Sequence, residues 1–320
     1  MTRWPLLLLA LLALVGGIWL LHRAPVVPVT AQGLAGAPPG RLLYTRRGDL
    51  WLWQNGSARQ ITAGQRYEGP AWSPDGQRIA LSEVGENHSD IVLLTPAGQR
   101  LLPLTRHWSA TRVIDSSWGR KPAWSPDGAR LAYISDAGWY NASQRFDMSL
   151  WLVNATGGGQ RRLLAGAPGH GLDWPTWSPD GRRLAVTGLL DDDVTQIYSV
   201  SLTGAWTRLT RHRQGAYDPA WSPDGDFIAY IARENGQHAL WVMNADGSDP
   251  VLLLGGEPKR APTWSPDGRY LAFLQLMGSG FDLYVVEVQR QGTRLVMVGQ
   301  PRRLTSGQDI DETSGLSWGR

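Results

Sequence analysis

Short apolar runs separated by turn-forming residues recur along the chain from residue 41 onward. Segments such as Arg-Leu-Ala-Tyr-Ile (130–134) and Leu-Trp-Val-Met (240–243) have the length of β-strands. Their nearly continuous apolar character is typical of strands that protein covers on both faces. After residue 23, no segment of useful length has the apolar spacing of a helix. The pattern therefore predicts an all-β fold.

A heptapeptide, Pro-x-Trp-Ser-Pro-Asp-Gly, punctuates these strands. Ser-Pro-Asp-Gly has the residue preferences of a type I turn, and four predicted strands follow the same order in each repeat. Repeats of 43 to 53 residues with four strands each predict the blades of a β-propeller. The heptapeptide occurs at 70–76, 122–128, 175–181, 219–225 and 262–268.

The two ends of the repeat region predict a sixth, shared blade. Gly-Leu-Ser-Trp at 315–318 repeats the motif strand, and residues 41–62 supply the three strands that should follow it. We expect the segments to pair and close the ring. The predicted fold is a six-bladed β-propeller over residues 41–320, with N- and C-terminal strands in one blade.

The Pro-x-Trp-Ser-Pro-Asp-Gly repeat resembles that of the TolB-like six-bladed propeller family, a WD-like repeat, over residues 41–320. The resemblance implies the propeller fold and a scaffold that binds an envelope protein outside the cytoplasm. TolB also carries an N-terminal α/β domain, for which residues 1–40 leave no room. The resemblance therefore does not carry over the peptidoglycan-associated lipoprotein that TolB binds.

The N-terminal residues 1–23 form a hydrophobic segment, predicted to be a helix. Its uncharged run from residue 4 to 21 would span roughly 27 Å as a helix, enough for a hydrocarbon core. Basic residues flank the run, so we expect the propeller to lie outside the cytoplasmic membrane. Cleavage after Val29-Thr30-Ala31 would instead release a secreted protein. Residues 24–40, rich in Pro, Gly and Ala, form a linker.

Composition excludes several classes of function. The sequence contains 31 basic and 28 acidic residues, and the acid-free segment 1–40 holds two of the basic ones, so the body has no charge footprint for nucleic acid. The absence of cysteine excludes disulfides, thiolate metal sites and lipidation of a cysteine. The sequence contains no phosphate-binding glycine loop and no dinucleotide-binding fingerprint. We expect a monomer without a cofactor.

Several short motifs match sites of known chemistry. Gly315-Leu-Ser317-Trp-Gly319 has the pattern of a nucleophile elbow, but no acid or histidine follows it. Arg47-Gly48-Asp49 matches an adhesion tripeptide but falls in a predicted hairpin turn. Asp191-Asp192-Asp193 is interpreted as a solvated hairpin tip, although it could ligate a cation. His107 and His212 follow the same Leu-Thr-Arg sequence and are interpreted as surface loop residues.

The loops before the motif strands should meet at one end of the central channel, here called the mouth. These loops are residues 63–69, 106–121, 165–174, 211–218, 255–261 and 306–314. They mix charged and aromatic side chains, which polar ligands and protein partners use. The candidate ligand-binding residues are Glu68, Arg120, Lys121, Asp173, Trp174, Tyr217, Asp218, Lys259 and Arg260. Asp173-Trp174 and Tyr217-Asp218 are two aromatic–acid pairs in successive loops.

These observations favour a membrane-tethered propeller that binds an envelope protein or a polar envelope ligand at the mouth. One alternative is a propeller enzyme, a lyase or lactonase with a metal at the mouth. Another is a purely structural module of the cell envelope. We expect a binding protein rather than an enzyme.

Overall fold

The apolar runs form antiparallel four-stranded sheets arranged in a ring. The structure, a computed structural model, describes residues 38–111, 115–137, 147–166, 171–191 and 194–320. Its 24 strands form six sheets of four strands, and the described residues contain no α-helix. The innermost strand of each sheet contacts the innermost strands of its two neighbours. The predicted six-bladed propeller is confirmed.

Blades one to three cover the first half of the chain. Blade one contains β1 (Arg41–Arg46), β2 (Asp49–Gln54), β3 (Ser57–Gln60) and, innermost, β24 (Ser317–Gly319). Blade two contains β4 (Tyr67–Trp72), β5 (Ile79–Val84), β6 (Ser89–Leu94) and β7 (Arg100–Pro103). Blade three contains β8 (Gly119–Trp124), β9 (Arg130–Ser135), β10 (Ser149–Asn154) and β11 (Arg161–Leu164).

Blades four to six complete the ring in sequence order. Blade four contains β12 (Asp173–Trp177), β13 (Arg183–Gly188), β14 (Gln196–Ser201) and β15 (Trp206–Arg208). Blade five contains β16 (Ala216–Trp221), β17 (Phe227–Glu234), β18 (Gln237–Asn244) and β19 (Val251–Leu254). Blade six contains β20 (Lys259–Trp264), β21 (Tyr270–Met277), β22 (Gly280–Gln291) and β23 (Arg294–Arg303).

The ring closes where the predicted shared blade lies. Strand β24 pairs antiparallel with β1, with Leu42 opposite Trp318 and Leu43 opposite Ser317. The Trp318 indole is 8% exposed, and its Nε1 donates to the Pro39 carbonyl oxygen at 2.9 Å. The two ends of the repeat region thus share one sheet, as the sequence predicts.

The motif tryptophans, five of the 17 in the protein, join neighbouring blades. Each motif indole is buried at a blade interface, where the apolar face of one sheet packs on the next. Four of them donate Nε1–H to a backbone carbonyl oxygen of the preceding blade: Trp72 to Arg41 at 3.2 Å, Trp124 to Ala71 and Trp177 to Ala123 at 3.1 Å, and Trp264 to Ala220 at 3.0 Å.

The Ser-Pro-Asp-Gly segments form the predicted turns, at the end of the channel opposite the mouth, here called the turn face. In blade two, the Gly76 amide donates to the Ser73 carbonyl oxygen at 2.8 Å and closes the turn. The Asp75 carboxylate accepts from the Ser73 hydroxyl and from the Gln77 amide, and these bonds lower its pKa. The turn aspartates therefore serve the fold.

The predicted N-terminal hydrophobic helix and most of its linker lie outside the described residues, and both stay predictions. No helix in the described part of the protein has the length and apolar character that crossing a membrane requires.

Candidate functional site

The residue before each motif proline has a left-handed backbone, which shapes the mouth. The innermost strand bulges at this place because proline has no N–H to give to the sheet. A positive φ in a residue other than glycine is uncommon and costs about 1–3 kcal/mol. The six equivalent positions, with φ between +50° and +68°, are Gly69, Lys121, Trp174, Asp218, Ala261 and Gly315.

The channel beneath the mouth is lined mainly by prolines and small side chains. It encloses a cavity of about 240 Å³. Its walls are the motif prolines and the residues after them, which come from all six innermost strands: Ala71, Ala123, Thr176, Ala220, Thr263 and Ser317. Lys121 and Trp174 are the large side chains that line it on the mouth side of these residues.

Lys121 and Trp174 pack on each other at the mouth. The Lys121 Nζ lies 3.7 Å from the centre of the Trp174 ring, a cation–π contact between blades three and four. The same Nζ donates to the Thr313 carbonyl oxygen in the loop before β24. The Trp174 ring packs against the apolar cluster around Ala261, which joins blade six to blade one. Two side chains thus connect four blades.

Asp218 and Arg260 form an ion pair beside this contact. Arg260 Nε donates to Asp218 Oδ2 at 2.9 Å, and the Ala261 amide donates to the same oxygen at 3.0 Å. The Asp218 side chain is 4% exposed, whereas Glu312, which accepts from Arg260 Nη1 at 2.9 Å, is 65% exposed. Arg260 therefore links a buried carboxylate to an exposed one at the rim. Its Cζ lies 6.0 Å from the Trp174 ring centre.

Burial inside the ring shifts the pKa values of two side chains of opposite charge. Burial lowers the pKa of Lys121 to about 8, while the carboxylates of Asp173, Asp218 and Glu68 oppose that shift. Burial also raises the pKa of Asp173, and the Lys121 ammonium opposes this. Solvent reaches the Asp173 side chain, yet the surrounding protein removes part of its hydration. Its Oδ1 accepts a hydrogen bond from the Trp174 amide at 2.8 Å.

The other candidate residues lie around this centre or point elsewhere. Glu68 lines a cleft between blades one and two, and the Arg120 guanidinium covers the Trp118 ring at 5.2 Å. The Tyr217 ring stacks on His238, and its hydroxyl donates to the Gln214 carbonyl oxygen. The Tyr217 ring thus packs on an imidazole of its own blade, and its hydroxyl bonds within its own loop.

Lys259 is enclosed in its own loop. It is 1% exposed, and its Nζ donates to the carbonyl oxygens of Gly255 and Glu257, each at 2.7 Å. Burial lowers its pKa to about 8. The structure thus brings together Lys121, Asp173, Trp174, Asp218 and Arg260. The Glu68 carboxylate acts on the Lys121 charge, and Arg120 precedes Lys121 in the chain.

The remaining short motifs have structural partners. The Ser317 hydroxyl oxygen accepts from the Trp72 amide at 2.9 Å, inside the innermost strand. His107 Nδ1 lies 2.8 Å from the Ser89 carbonyl oxygen and His212 Nε2 lies 3.0 Å from the Tyr230 hydroxyl. His107 is buried, not a surface residue as predicted, because its ring packs against the Tyr133 ring and the Gly119 backbone.

Asp191 accepts from the Tyr198 hydroxyl at 2.7 Å, whereas Asp192 and Asp193 lie outside the described residues. Within the described ranges, no group of three or more His, Cys, Asp or Glu side chains has an arrangement that could hold a metal ion.

Sequence reasoning did not find the part that Thr313 plays at the mouth. Its contribution is a backbone carbonyl oxygen, which any residue provides, so the residue type carries no signal. Glu312 could be found as an acid in the last mouth loop, but its pairing with Arg260 depends on ring closure.

A sequence profile of the TolB β-propeller domain matches residues 121–303, more than half of the chain. This chain belongs to the TolB β-propeller family. It is 32% identical over 184 residues to the uncharacterized protein Atu1656 of Agrobacterium fabrum, a match covering 57% of this chain and 56% of the relative. It is 30% identical over 218 residues to the uncharacterized peptidase YuxL of Bacillus subtilis, covering 55% of this chain and 31% of YuxL. The matches span about half or less of these relatives' lengths.

Solved structures share the fold at low sequence identity. TolB from Acinetobacter baumannii superposes with a TM-score of 0.65 at 18% identity, covering 88% of this chain and 66% of TolB. An oligogalacturonate lyase in complex with manganese superposes with a TM-score of 0.53 at 15% identity, covering 83% of this chain and 75% of the lyase. At these identities the likeness concerns the fold alone.

Proposed function

We propose that this protein is an exported, membrane-tethered binding propeller that engages an envelope protein or a polar envelope ligand at its mouth. The observation that carries the proposal is the convergence of aromatic and charged side chains from different blades. Lys121, Trp174 and Arg260 come from three innermost strands and meet within 6 Å of one ring. An aromatic side chain flanked by charges and framed by rigid strands is typical of recognition sites.

The free hydrogen-bonding groups of the mouth favour a partner that donates. The cations Lys121 and Arg260 already contact the Thr313 carbonyl oxygen and the carboxylates of Asp218 and Glu312. Asp173, by contrast, accepts only from the backbone amide of the next residue among the described groups. A basic or amide-bearing group of the partner would supply what this carboxylate lacks.

The backbone at the mouth is also ordered before a partner binds. Lys121 and Trp174 hold positive φ angles that the surrounding bulged strands impose. A contact surface that is ordered before binding loses little conformational entropy when the partner arrives. Strain at this place is therefore consistent with a recognition role.

Co-purification with mouth variants tests the proposal. Trp174→Ala and Asp173→Asn should each reduce the amount of envelope partner that co-purifies with the full-length protein. The matched control is Trp206→Ala, which removes a 39% exposed tryptophan on the outer edge of blade four. Equal recovery with all three variants would contradict a mouth site.

The location of the protein follows from the hydrophobic run at residues 4–21. As a tether it would hold the propeller on the outer side of the cytoplasmic membrane. Membrane fractionation should recover the protein in the pellet, released by detergent and not by high salt. A soluble species that begins at Gln32 would show that the segment is cleaved and the protein secreted.

A metal-dependent lyase is the second candidate, because a manganese-bound oligogalacturonate lyase shows that the fold can carry this chemistry. Metal analysis of the purified full-length protein separates the two candidates. Stoichiometric manganese or calcium that Asp173→Asn removes would favour an enzyme at the mouth. A metal-free protein that binds its partner fully would favour the binding propeller.

A further inference from the structure

A cleft with several charged residues in its lining lies beside the mouth, between blades one and two. Its volume is about 450 Å³, within the range of small-ligand sites. Hairpin β1–β2, strand β4 and the loop before β24 form its walls. The lining residues are Arg47, Gly48, Arg66, Tyr67, Glu68, Val84, Asp311, Glu312 and Thr313.

The backbone that carries Arg47 and Arg66 is held firmly. The amides of Arg47 and Gly48 donate to the two carboxylate oxygens of Asp311, at 2.7 and 3.0 Å. The Tyr67 amide donates to the Gly48 carbonyl oxygen and the Val84 amide to the Arg66 carbonyl oxygen, both at 2.7 Å. The backbone positions of the two arginines are therefore adjacent and fixed.

Their guanidinium groups have no anionic partner among the described residues. Both side chains are exposed to the cleft, and neither forms a hydrogen bond or an ion pair within those ranges. The nearby acids are engaged elsewhere: Asp311 holds the hairpin amides, Asp49 accepts from Gln60 and Gln65, and Glu312 accepts from Arg260.

We propose that this cleft binds a carboxylate group, held by the guanidinium groups of Arg47 and Arg66. The planar guanidinium fork matches the two oxygens of a carboxylate, and two such forks on one wall give ten N–H donors. Glu68 lines the same cleft toward the mouth and carries the opposite charge. It sets the orientation, because it repels the carboxylate toward the arginines and accepts hydrogen bonds from the next group.

The cleft and the proposed mouth site together form a two-part surface. The biological use of the cleft rests on the proposed function of the mouth. One end carries Asp173, whose carboxylate accepts only the Trp174 amide among the described groups, and the other carries the guanidinium groups of Arg47 and Arg66. A partner segment with a donor and a carboxylate would satisfy both ends. The carboxylate comes either from the C-terminal end of a polypeptide or from an acidic side chain.

Fluorescence anisotropy with short peptides tests the cleft directly. The full-length protein, kept in non-ionic detergent, is titrated into three tetra-alanine peptides that carry an N-terminal neutral BODIPY label. The first has a free C-terminal carboxylate, the second is amidated with one alanine replaced by glutamate, and the third is amidated without an acid. Binding of the first alone identifies a polypeptide terminus as the ligand, and binding of the second alone identifies an acidic side chain.

The variant Arg47→Gln/Arg66→Gln should weaken binding of the acidic peptide about tenfold or more. The control Arg59→Gln/Arg182→Gln removes the same charge from exposed positions outside the cleft and should change binding less than about twofold. Equal binding of the uncharged peptide, equal affinity in the double variant, or no binding of either acidic peptide would overturn the proposal.

The two proposals can fail separately. Loss of partner capture in Trp174→Ala with unchanged peptide binding supports both the mouth and an independent cleft. Peptide binding that Arg47→Gln/Arg66→Gln removes, together with partner capture that Trp174→Ala leaves intact, would retain the cleft and refute the mouth.

Discussion

The Lys121 ammonium nitrogen lies 3.7 Å above the ring of Trp174, although the two residues belong to different blades. Both occupy the position before a motif proline, where the strand bulges and φ is positive. The contact therefore depends on the packing of blade three against blade four. Ring closure and the recognition surface are linked, because Lys121 donates to the Thr313 carbonyl oxygen, which lies in the loop before the closing strand β24.

Loss of the closing strand should destabilise the whole propeller. Trp318→Ala removes an indole that is 8% exposed together with its hydrogen bond to Pro39, and should lower the free energy of unfolding by about 3–5 kcal/mol. Deletion of residues 315–320 should abolish soluble expression. Trp206→Ala, on an outer strand, is the control, and a melting temperature for Trp318→Ala equal to that of the control would contradict the closure.

The blade pattern could be predicted because each strand and turn depends on local residues. Ser73, Asp75 and Gly76 form their turn with bonds that span five residues or fewer, so the heptapeptide carries the information. Pairing of the two termini was predictable for another reason: residues 315–318 repeat the motif strand and 41–62 repeat the rest of a blade.

Side-chain direction at the mouth could not be predicted in this way. Tyr217 and Asp173 hold equivalent positions one residue before the bulge, yet Tyr217 stacks on His238. Lys259 looks like a rim charge in the sequence but is enclosed by carbonyl oxygens of its own loop. These outcomes depend on contacts between loops, which neither residue type nor spacing encodes.

The buried and the exposed partners of Arg260 should differ in their effect on stability. Asp218→Asn leaves the guanidinium without its buried counter-charge and should cost about 3–5 kcal/mol. Glu312→Gln removes a carboxylate that is 65% exposed and should cost about 1 kcal/mol or less. Chemical denaturation of the two variants measures the difference. Similar losses would show that the Asp218 pair is not the structural one.

The two lysines of the protein should titrate near pH 8. Burial lowers the pKa of Lys121 and of Lys259 to about 8, against 10.5 in the unfolded state. Between pH 8 and 10.5 the unfolded state binds more protons, so the contribution of each lysine to the free energy of unfolding rises with pH in that window. Below about pH 8 the lysines are protonated in both the folded and the unfolded state, and the full free-energy cost of burying their charge opposes folding.

An NMR titration of the full-length protein with ¹³Cε-labelled lysine checks these values. Lys259→Met assigns the two signals, since only Lys121 remains in that variant. Trp174→Ala should then move the pKa of Lys121, because it removes the ring that covers the ammonium group. Midpoints near 10.5 for both lysines would contradict the burial described above.

Photo-crosslinking in living cells measures most directly whether the mouth is the binding surface. A photoreactive amino acid is placed at Trp174 or Glu312 on the mouth, and at Gln77 or Arg182 on the turn face. We expect the mouth positions to crosslink a distinct envelope partner and the turn-face positions not to do so. Crosslinks to such a partner from the turn face, with none from the mouth, would contradict this expectation.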